Sequence, residues 1–179
     1  MGTFKHIAAA LMALTISAFA YAAPQDSGTN AELAKIMRML TSYSVTADYS
    51  YTADKLSGKG TLVFNGQSYR FSGSGMQVYC DGTTVWTVDT KAKEVYVDSA
   101  GSTNSLLADP GKALEYVTTL HSDKDSITGT AKNPSGHGTV NFKVQKIVKG
   151  PLTSDMKQFR FSTAGLGKDW VVTDLRTGE

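Results

Sequence analysis

The dipeptide Asn65-Gly66 restricts the fold more than any other feature, because it divides two short runs in which apolar and polar residues alternate. Asn-Gly favours the two positive φ angles of a type I′ turn, which joins antiparallel strands through a two-residue loop. The runs Lys59–Phe64 and Gln67–Phe71 are therefore predicted to pair as a β-hairpin, with Phe64 opposite Gln67. One face of this hairpin carries four large apolar side chains, Leu62, Phe64, Tyr69 and Phe71. The segment predicts an antiparallel sheet with one aromatic face.

A second hairpin is predicted around Asp81-Gly82, which joins Met76–Cys80 to Thr83–Val88. A two-residue loop places Met76, Val78, Cys80 and Val85 on one face and Tyr79, Trp86 and Val88 on the other. Both faces are therefore partly apolar. Either other parts of the chain cover both sides of this hairpin, or its loop is longer and the register differs by one residue.

The remaining segments extend the sheet. Further strands are predicted at Val45–Tyr51, Glu94–Asp98, Ser126–Lys132, Thr139–Val148, Met156–Ser162 and Trp170–Leu175. Tight turns between neighbouring strands favour antiparallel pairing. A sheet of roughly nine or ten strands curls or closes to protect its edges, and its interior packs on itself or covers a helix or a ligand.

Two helices are predicted beside the strands. Thr29 and Glu32 match a capping box, and the helix that follows, from about residue 30 to 41, has one apolar stripe. That stripe consists of Leu33, Ile36, Met37 and Leu40. Asp109-Pro110 is a strong helix start, and it predicts a second helix that continues to about Leu120. The stripe of the second helix consists of Ala113, Leu114, Val117 and Leu120.

Residues 1–22 have the pattern of a signal peptide. Lys5 and His6 precede an apolar run, Ile7–Phe19, which is too short to span a bilayer. Small residues then stand at Ala20 and Ala22, where a signal peptidase requires them. We expect export and a mature chain over residues 23–179, which contains no linker and is predicted to be one domain. The single cysteine, Cys80, allows no intrachain disulfide and is expected to be a small buried residue.

The sequence offers no catalytic constellation. His121 and His137 stand in no recognisable motif, and neither a Gly-x-Ser-x-Gly elbow nor a phosphate-binding loop occurs. One of the three histidines, His6, lies in the predicted signal peptide, and the remaining two with one cysteine make a Cys/His zinc site unexpected. With 18 Lys+Arg against 16 Asp+Glu, the net charge of +2 provides no strong field for nucleic acid. We therefore expect no enzyme activity, no metal, no cofactor and no nucleic-acid partner.

The apolar residues are the remaining candidates for function. The two helical stripes and the aromatic face of the sheet could form the core of an ordinary β domain, or they could bind an apolar ligand. Methionine, which is flexible and polarisable, suits a surface that repacks around variable ligands. The candidate ligand-binding residues are Leu33, Ile36, Met37, Leu40, Leu62, Phe64, Tyr69, Phe71, Met76, Val78, Leu114 and Val117.

Taken in order, the segments resemble a known family. The helix and first strand read AELAKIMRMLTSYSVTADYSY, the first hairpin reads GKGTLVFNGQSYRFSG, and YCDGTTVWTVDTKAKEVYV follows. The ending WVVTDLR is also similar to the family's terminal strand. These segments resemble the LolA family of periplasmic outer-membrane lipoprotein carriers. The likeness runs from about Ala31 to Val117, and YCDGTTVWTVD is its most specific part.

The resemblance implies a mainly β (α+β) fold in which a curved antiparallel sheet forms an unclosed barrel. Two or three short helices would cover its open side over a hydrophobic cavity that holds the acyl chains of a lipoprotein. Tyr69 and Phe71 fall at the family's aromatic cavity positions, and Leu33, Ile36, Met37 and Leu40 fall on its lid helix. Members usually have an arginine after the second strand that latches the lid, whereas this chain has Asn65-Gly66 there.

The resemblance also implies the setting in which the protein works. The expected partners in the periplasm are acylated lipoproteins, an inner-membrane transporter that releases them and an outer-membrane acceptor, and the carrier is expected to be a monomer. The alternative is a periplasmic protein of the same fold that binds or senses another lipid or amphiphile.

Overall fold

A computed structural model describes residues 27–53, 56–101, 116–133 and 138–176. In chain order the elements are α1 (Ser27–Ser42), β1 (Ser44–Ala53), β2 (Leu56–Asn65), β3 (Ser68–Gly73), β4 (Met76–Cys80), β5 (Thr84–Asp89), β6 (Glu94–Ser99), β7 (Val117–Ser122), β8 (Ser126–Lys132), β9 (Thr139–Gly150), a 3-10 turn (Lys157–Phe159) and β10 (Val171–Asp174). The fold is mainly β, as expected.

The ten strands of the described residues form one sheet in the order β10-β6-β5-β4-β3-β2-β1-β9-β8-β7. Strands β10 and β7 stand at opposite ends, so within the described ranges the sheet is not closed into a barrel. Nine strands pair antiparallel with their neighbours, but β10 runs parallel to β6, and the expectation of a purely antiparallel sheet is wrong there. Residues 151–170 carry the chain from β9 across the sheet to β6, and a crossover of this kind permits parallel pairing.

The first hairpin forms as predicted, with a register that differs by two residues. Phe64 pairs with Tyr69, and Asn65 pairs with Ser68. Gly66 therefore stands first in the two-residue loop, at φ 63°, where a type II′ turn favours glycine. Because side chains alternate with a period of two, a shift of two residues leaves the same four apolar residues on one face. We call this the inner face of the sheet.

The second hairpin has the same kind of loop, in which Asp81 pairs with Thr84 and Gly82 comes first. Cys80 lies opposite Val85, and Tyr79 lies opposite Trp86, so the predicted division of residues between the two faces is confirmed. Of the two alternatives for this hairpin, the structure shows the one in which other parts of the chain cover both of its sides.

The chain after β9 covers the opposite, outer face. Tyr79, Val88, Val95 and Val97 are buried there beneath Phe161, Leu166 and Trp170. The rings of Tyr79 and Phe161 lie 5.5 Å apart. The predicted strand over Met156–Ser162 is wrong, since a 3-10 turn occupies part of this segment. The turn begins where Asp155 Oδ1 accepts a hydrogen bond from the Lys157 N–H (3.1 Å), and it buries Phe159 completely.

Asn65 fastens this C-terminal segment to the first hairpin. Its Nδ2 donates to the Thr153 carbonyl (2.8 Å), and its Oδ1 accepts from the Thr153 N–H (2.9 Å). A second link joins the segment to the second hairpin, through the ion pair between Arg160 Nε and Asp81 Oδ2 (3.0 Å). The Asn65 amide therefore holds the segment that follows β9 against the sheet.

Replacement of Asn65 by alanine is expected to lower the free energy of unfolding by about 2 kcal/mol, because the N–H and the carbonyl of half-buried Thr153 lose their partner. Urea unfolding followed by tryptophan fluorescence measures this change. Gln67→Ala, at an exposed position in the same loop, is the control and is expected to change stability by less than about 0.5 kcal/mol. Equal stability of the two variants would contradict the role given to Asn65.

The predicted second helix is only partly within the described residues. Its first part, including Ala113 and Leu114, lies outside them. Val117 and Leu120 do not lie on a helix, since both belong to strand β7, which pairs with β8. Their spacing of three residues mimics a helical stripe because β7 has an irregularity between Val117 and Thr119, which brings both side chains to the inner face.

Candidate functional site

The inner face is covered by the apolar stripe of α1. Leu33, Ile36 and Leu40 are buried against the sheet, and Met37 and Met39 are half-buried beside them. The predicted helix is thus confirmed, although it begins at Ser27, two residues before the predicted cap. Lys35 and Arg38 are exposed on the other side of the helix. This amphipathic pattern is the reason why the helix lies along the sheet.

Three aromatic rings form the sheet side of the site. Phe64, Tyr69 and Phe71 are fully buried, and each ring centroid lies 5.4 to 6.1 Å from the other two. Met76 and Val78 continue this buried surface on β4. Hairpin pairing brings the three rings together, because Phe64 lies directly opposite Tyr69 and Leu62 opposite Phe71.

An apolar cavity lies between α1 and the sheet. Its volume is about 20 Å³, which is room for about one water molecule and not for an acyl chain. Its lining contains no polar side chain and consists of Ile36, Met39, Leu40, Val45, Leu62, Phe64, Ile127, Phe142, Val144 and Ile147. As the helix is positioned here, apolar side chains fill most of the space beneath it.

The structure separates the predicted site residues into three groups. Four of them line the cavity: Ile36, Leu40, Leu62 and Phe64. Another six are buried in, or packed against, the surrounding core without lining the cavity: Leu33, Met37, Tyr69, Phe71, Met76 and Val78. Val117 is also buried in this core, on strand β7 rather than on a helix, and Leu114 lies outside the described residues.

Six cavity residues were not predicted, namely Met39, Val45, Ile127, Phe142, Val144 and Ile147. Alternation in β9, where Val140, Phe142 and Val144 are buried between exposed neighbours, is the sequence signal that identifies its inner face. That signal does not reveal which distant strand or helix the face contacts.

Polar contacts between α1 and β7 involve few groups. Lys35 Nζ donates to Ser122 Oγ (3.0 Å), and Ser122 Oγ in turn donates to the Glu32 carboxylate. Lys35 and Glu32 also form an ion pair at 3.8 Å, in which the lysine side chain is 60% exposed. Solvent weakens such exposed interactions, so they orient the helix more than they stabilise it. We call these three residues the clasp.

Burial raises the pKa values of two titratable groups on the inner face, Tyr49 and Cys80. Burial, and to a lesser degree the neighbouring Tyr51, raises the pKa of Tyr49. Burial also raises the pKa of the Cys80 thiol to about 11 and outweighs the hydrogen bond from the Gly82 N–H, which lowers it. A protonated, buried thiol is a poor nucleophile.

Within the ranges that the structure describes, no group of three or more His, Cys, Asp or Glu residues is arranged to hold a metal ion. Over the same ranges, no helix has the length and apolar character needed to cross a bilayer. His121, expected at a helix end, lies on β7 and pairs with Asp123 (Nε2 to Oδ1, 3.3 Å) at the surface. In comparisons with known proteins, no family model matches the chain and no curated protein matches it significantly.

Proposed function

We propose that the protein is a periplasmic carrier that shields the acyl chains of lipoproteins and delivers them toward the outer membrane. The observation that carries the proposal is an amphipathic helix that covers the aromatic face of an open sheet over a wholly apolar cavity. Three buried side chains of the helix, Leu33, Ile36 and Leu40, and the clasp hold it against the sheet.

Carriage of acyl chains explains why such a helix would be useful. Exposure of an acyl chain to water costs about 0.8 kcal/mol for each methylene group. When α1 moves away, the inner face loses apolar contacts that acyl chains can replace. When the cargo leaves, Leu33, Ile36 and Leu40 can cover the same surface again. Loading and release are then close to balanced in free energy, as a carrier requires.

In this proposal the small cavity belongs to the unloaded protein, and acyl chains enter only when α1 is displaced. The inner face itself provides no energy source, so the direction of transfer would come from the partners. A transporter in the inner membrane would load the carrier, and an acceptor at the outer membrane would unload it. A second helix and a larger cavity, as the family resemblance implies, belong to the same proposal.

Met39→Glu is expected to weaken the binding of a triacylated lipoprotein at least about tenfold, because it brings a carboxylate to the apolar lining. Met39 is half-buried, so the variant is expected to fold. Binding is measured in solution with a fluorescently labelled lipoprotein. Ala34→Glu, which adds the same charge on the exposed side of α1, is the matched control and is expected to bind normally.

Equal binding by the two variants would contradict the proposed site. Mass spectrometry of organic extracts from the protein, purified from the periplasm, tests the cargo itself. A co-purified triacylated protein supports the carrier, whereas free lipid without protein supports the alternative of a binding or sensing protein for another amphiphile.

A further inference from the structure

A buried carboxylate ends an apolar row of side chains on the inner face. Cross-strand pairing forms this row from β2 to β6, and its members in order are Phe64, Tyr69, Cys80, Val85 and Asp98. The first four are buried in the core, and Phe64 also lines the cavity. Neighbouring strands lie about 4.8 Å apart, which places Asp98 ~19 Å from Phe64. The row therefore leads from the cavity to a carboxylate on β6.

One oxygen of Asp98 has no hydrogen-bond partner. The residue is only 5% exposed, and its Oδ1 accepts a hydrogen bond from the Ser99 N–H (2.8 Å). Its Oδ2 is buried as well, but nothing in the described part of the chain donates to it. Burial of an unpaired carboxylate oxygen is unfavourable, and native proteins contain few such groups. A donor from a bound molecule would supply the missing partner.

The inner face becomes polar and acidic toward β6. Besides Asp98, the positions of β5 and β6 on this face include Thr87, Asp89, Glu94 and Tyr96. The Tyr96 hydroxyl donates to the Glu94 carboxylate (2.8 Å). This hydrogen bond, then burial, then the charges of Glu94 and Asp89 raise the pKa of Tyr96. Along β3 to β6, which the structure describes completely, no lysine or arginine shares this face. The surroundings of Asp98 therefore favour a hydrogen-bond donor that carries no negative charge.

We propose that Asp98 binds an N–H group at the acylated end of the cargo, while the acyl chains lie on the aromatic part of the inner face. A carboxylate oxygen forms strong, charge-assisted hydrogen bonds with N–H donors. In a triacylated lipoprotein the donor is the amide that carries one acyl chain, and in a diacylated lipoprotein it is the ammonium group of the same nitrogen. The inference rests on the proposed function, whose cargo it specifies more closely.

Such a contact would distinguish lipoproteins from phospholipids. Phosphatidylcholine has acyl chains but no N–H group, so its binding would leave the Asp98 Oδ2 unpaired. A buried polar group that one ligand satisfies and another leaves unpaired is a strong basis for discrimination between the two. Asp98 is therefore expected to determine specificity, whereas the apolar residues provide most of the affinity.

The test compares the exported protein, purified from the periplasm, with its Asp98→Asn variant. Asparagine has nearly the same shape, its oxygen can keep the hydrogen bond from Ser99, and an N–H donor then replaces Oδ2. Fluorescence anisotropy measures the binding of labelled tripalmitoyl-cysteinyl and dipalmitoyl-cysteinyl peptides, and competition measures the binding of phosphatidylcholine. We expect the variant to bind both peptides at least about tenfold more weakly than the wild type, and phosphatidylcholine no more weakly.

Asp89→Asn is the matched control, because it removes a carboxylate from the same face of the neighbouring strand β5. It is expected to bind both peptides like the wild type. The urea midpoint of the unliganded Asp98→Asn variant is expected to stay the same or to rise, since a neutral amide costs less to bury than an unpaired carboxylate. A lower midpoint would show that Asp98 serves the fold and would overturn its role in binding.

Equal peptide binding by the Asp98→Asn variant and the wild type, or an equal loss in the Asp89→Asn variant, would also overturn the inference. A loss confined to the tripalmitoyl peptide assigns the donor to the amide, and a loss confined to the dipalmitoyl peptide assigns it to the ammonium group. The same measurements separate the two proposals. Peptide binding that does not depend on Asp98 would refute the inference and leave the carrier standing, whereas a wild-type protein that binds neither peptide would refute the carrier itself.

Discussion

Covalent attachment of α1 to β7 is expected to abolish uptake of acyl cargo. Glu32→Cys and Ser122→Cys place two thiols at the clasp, where a short methanethiosulfonate cross-linker can join them reversibly. With α1 held in place, the space beneath it remains about 20 Å³, too small for an acyl chain. Lipoprotein binding, measured by fluorescence, should fall to background after cross-linking and return after reduction.

The native thiol does not interfere with this experiment, because Cys80 is buried and its pKa is raised to about 11. The two single-cysteine variants, treated with the same reagent, are the controls and should bind at least as well as the wild type, since each removes part of the clasp. Undiminished binding by the cross-linked protein would show that cargo does not enter beneath α1.

Gly60→Ala is expected to lower the free energy of unfolding by about 3 kcal/mol, because the added methyl group has no space. A Cβ atom at Gly60 would lie 2.0 Å from the Ser72 carbonyl oxygen and 2.8 Å from the Tyr49 hydroxyl. The first of these contacts is with a backbone oxygen of β3, which can move away from the added methyl group only if β2 and β3 separate. Gly73, the pairing partner of Gly60, is similarly restricted, because a Cβ atom there would lie 2.7 Å from the Tyr49 hydroxyl.

Gly150→Ala is the matched control for this substitution, since a Cβ atom there meets nothing within 4 Å and the residue lies in the same sheet. It is expected to leave the midpoint of urea unfolding unchanged or slightly raised. A Gly60→Ala variant as stable as the Gly150→Ala variant would refute the close approach of Tyr49 to β2 and β3.

The faces of the strands could be predicted from the sequence, and their pairing partners only in part. Alternation placed Leu62, Phe64, Tyr69 and Phe71 on one face although the register differs by two residues. The error arose because Asn65 closes the hairpin instead of entering its loop. A side-chain period of two makes the composition of a face insensitive to such a shift. The stripe of α1 was predictable for a similar reason, because helical periodicity depends only on neighbouring residues.

The sequence by itself therefore determined most of the strands and most of their faces, the amphipathic α1 and the absence of recognised catalytic motifs, since each of these depends on local patterns. Only the tertiary structure decided that the C-terminal segment covers the outer face, that Val117 lies on a strand, and that α1 fills the space above the aromatic rings. These outcomes depend on contacts between residues far apart in the chain, such as Asn65 with Thr153 and Glu32 with Ser122. The physical reason is that burial against any complementary apolar surface is favourable. Local periodicity carries no information about which distant surface in the chain is the most complementary.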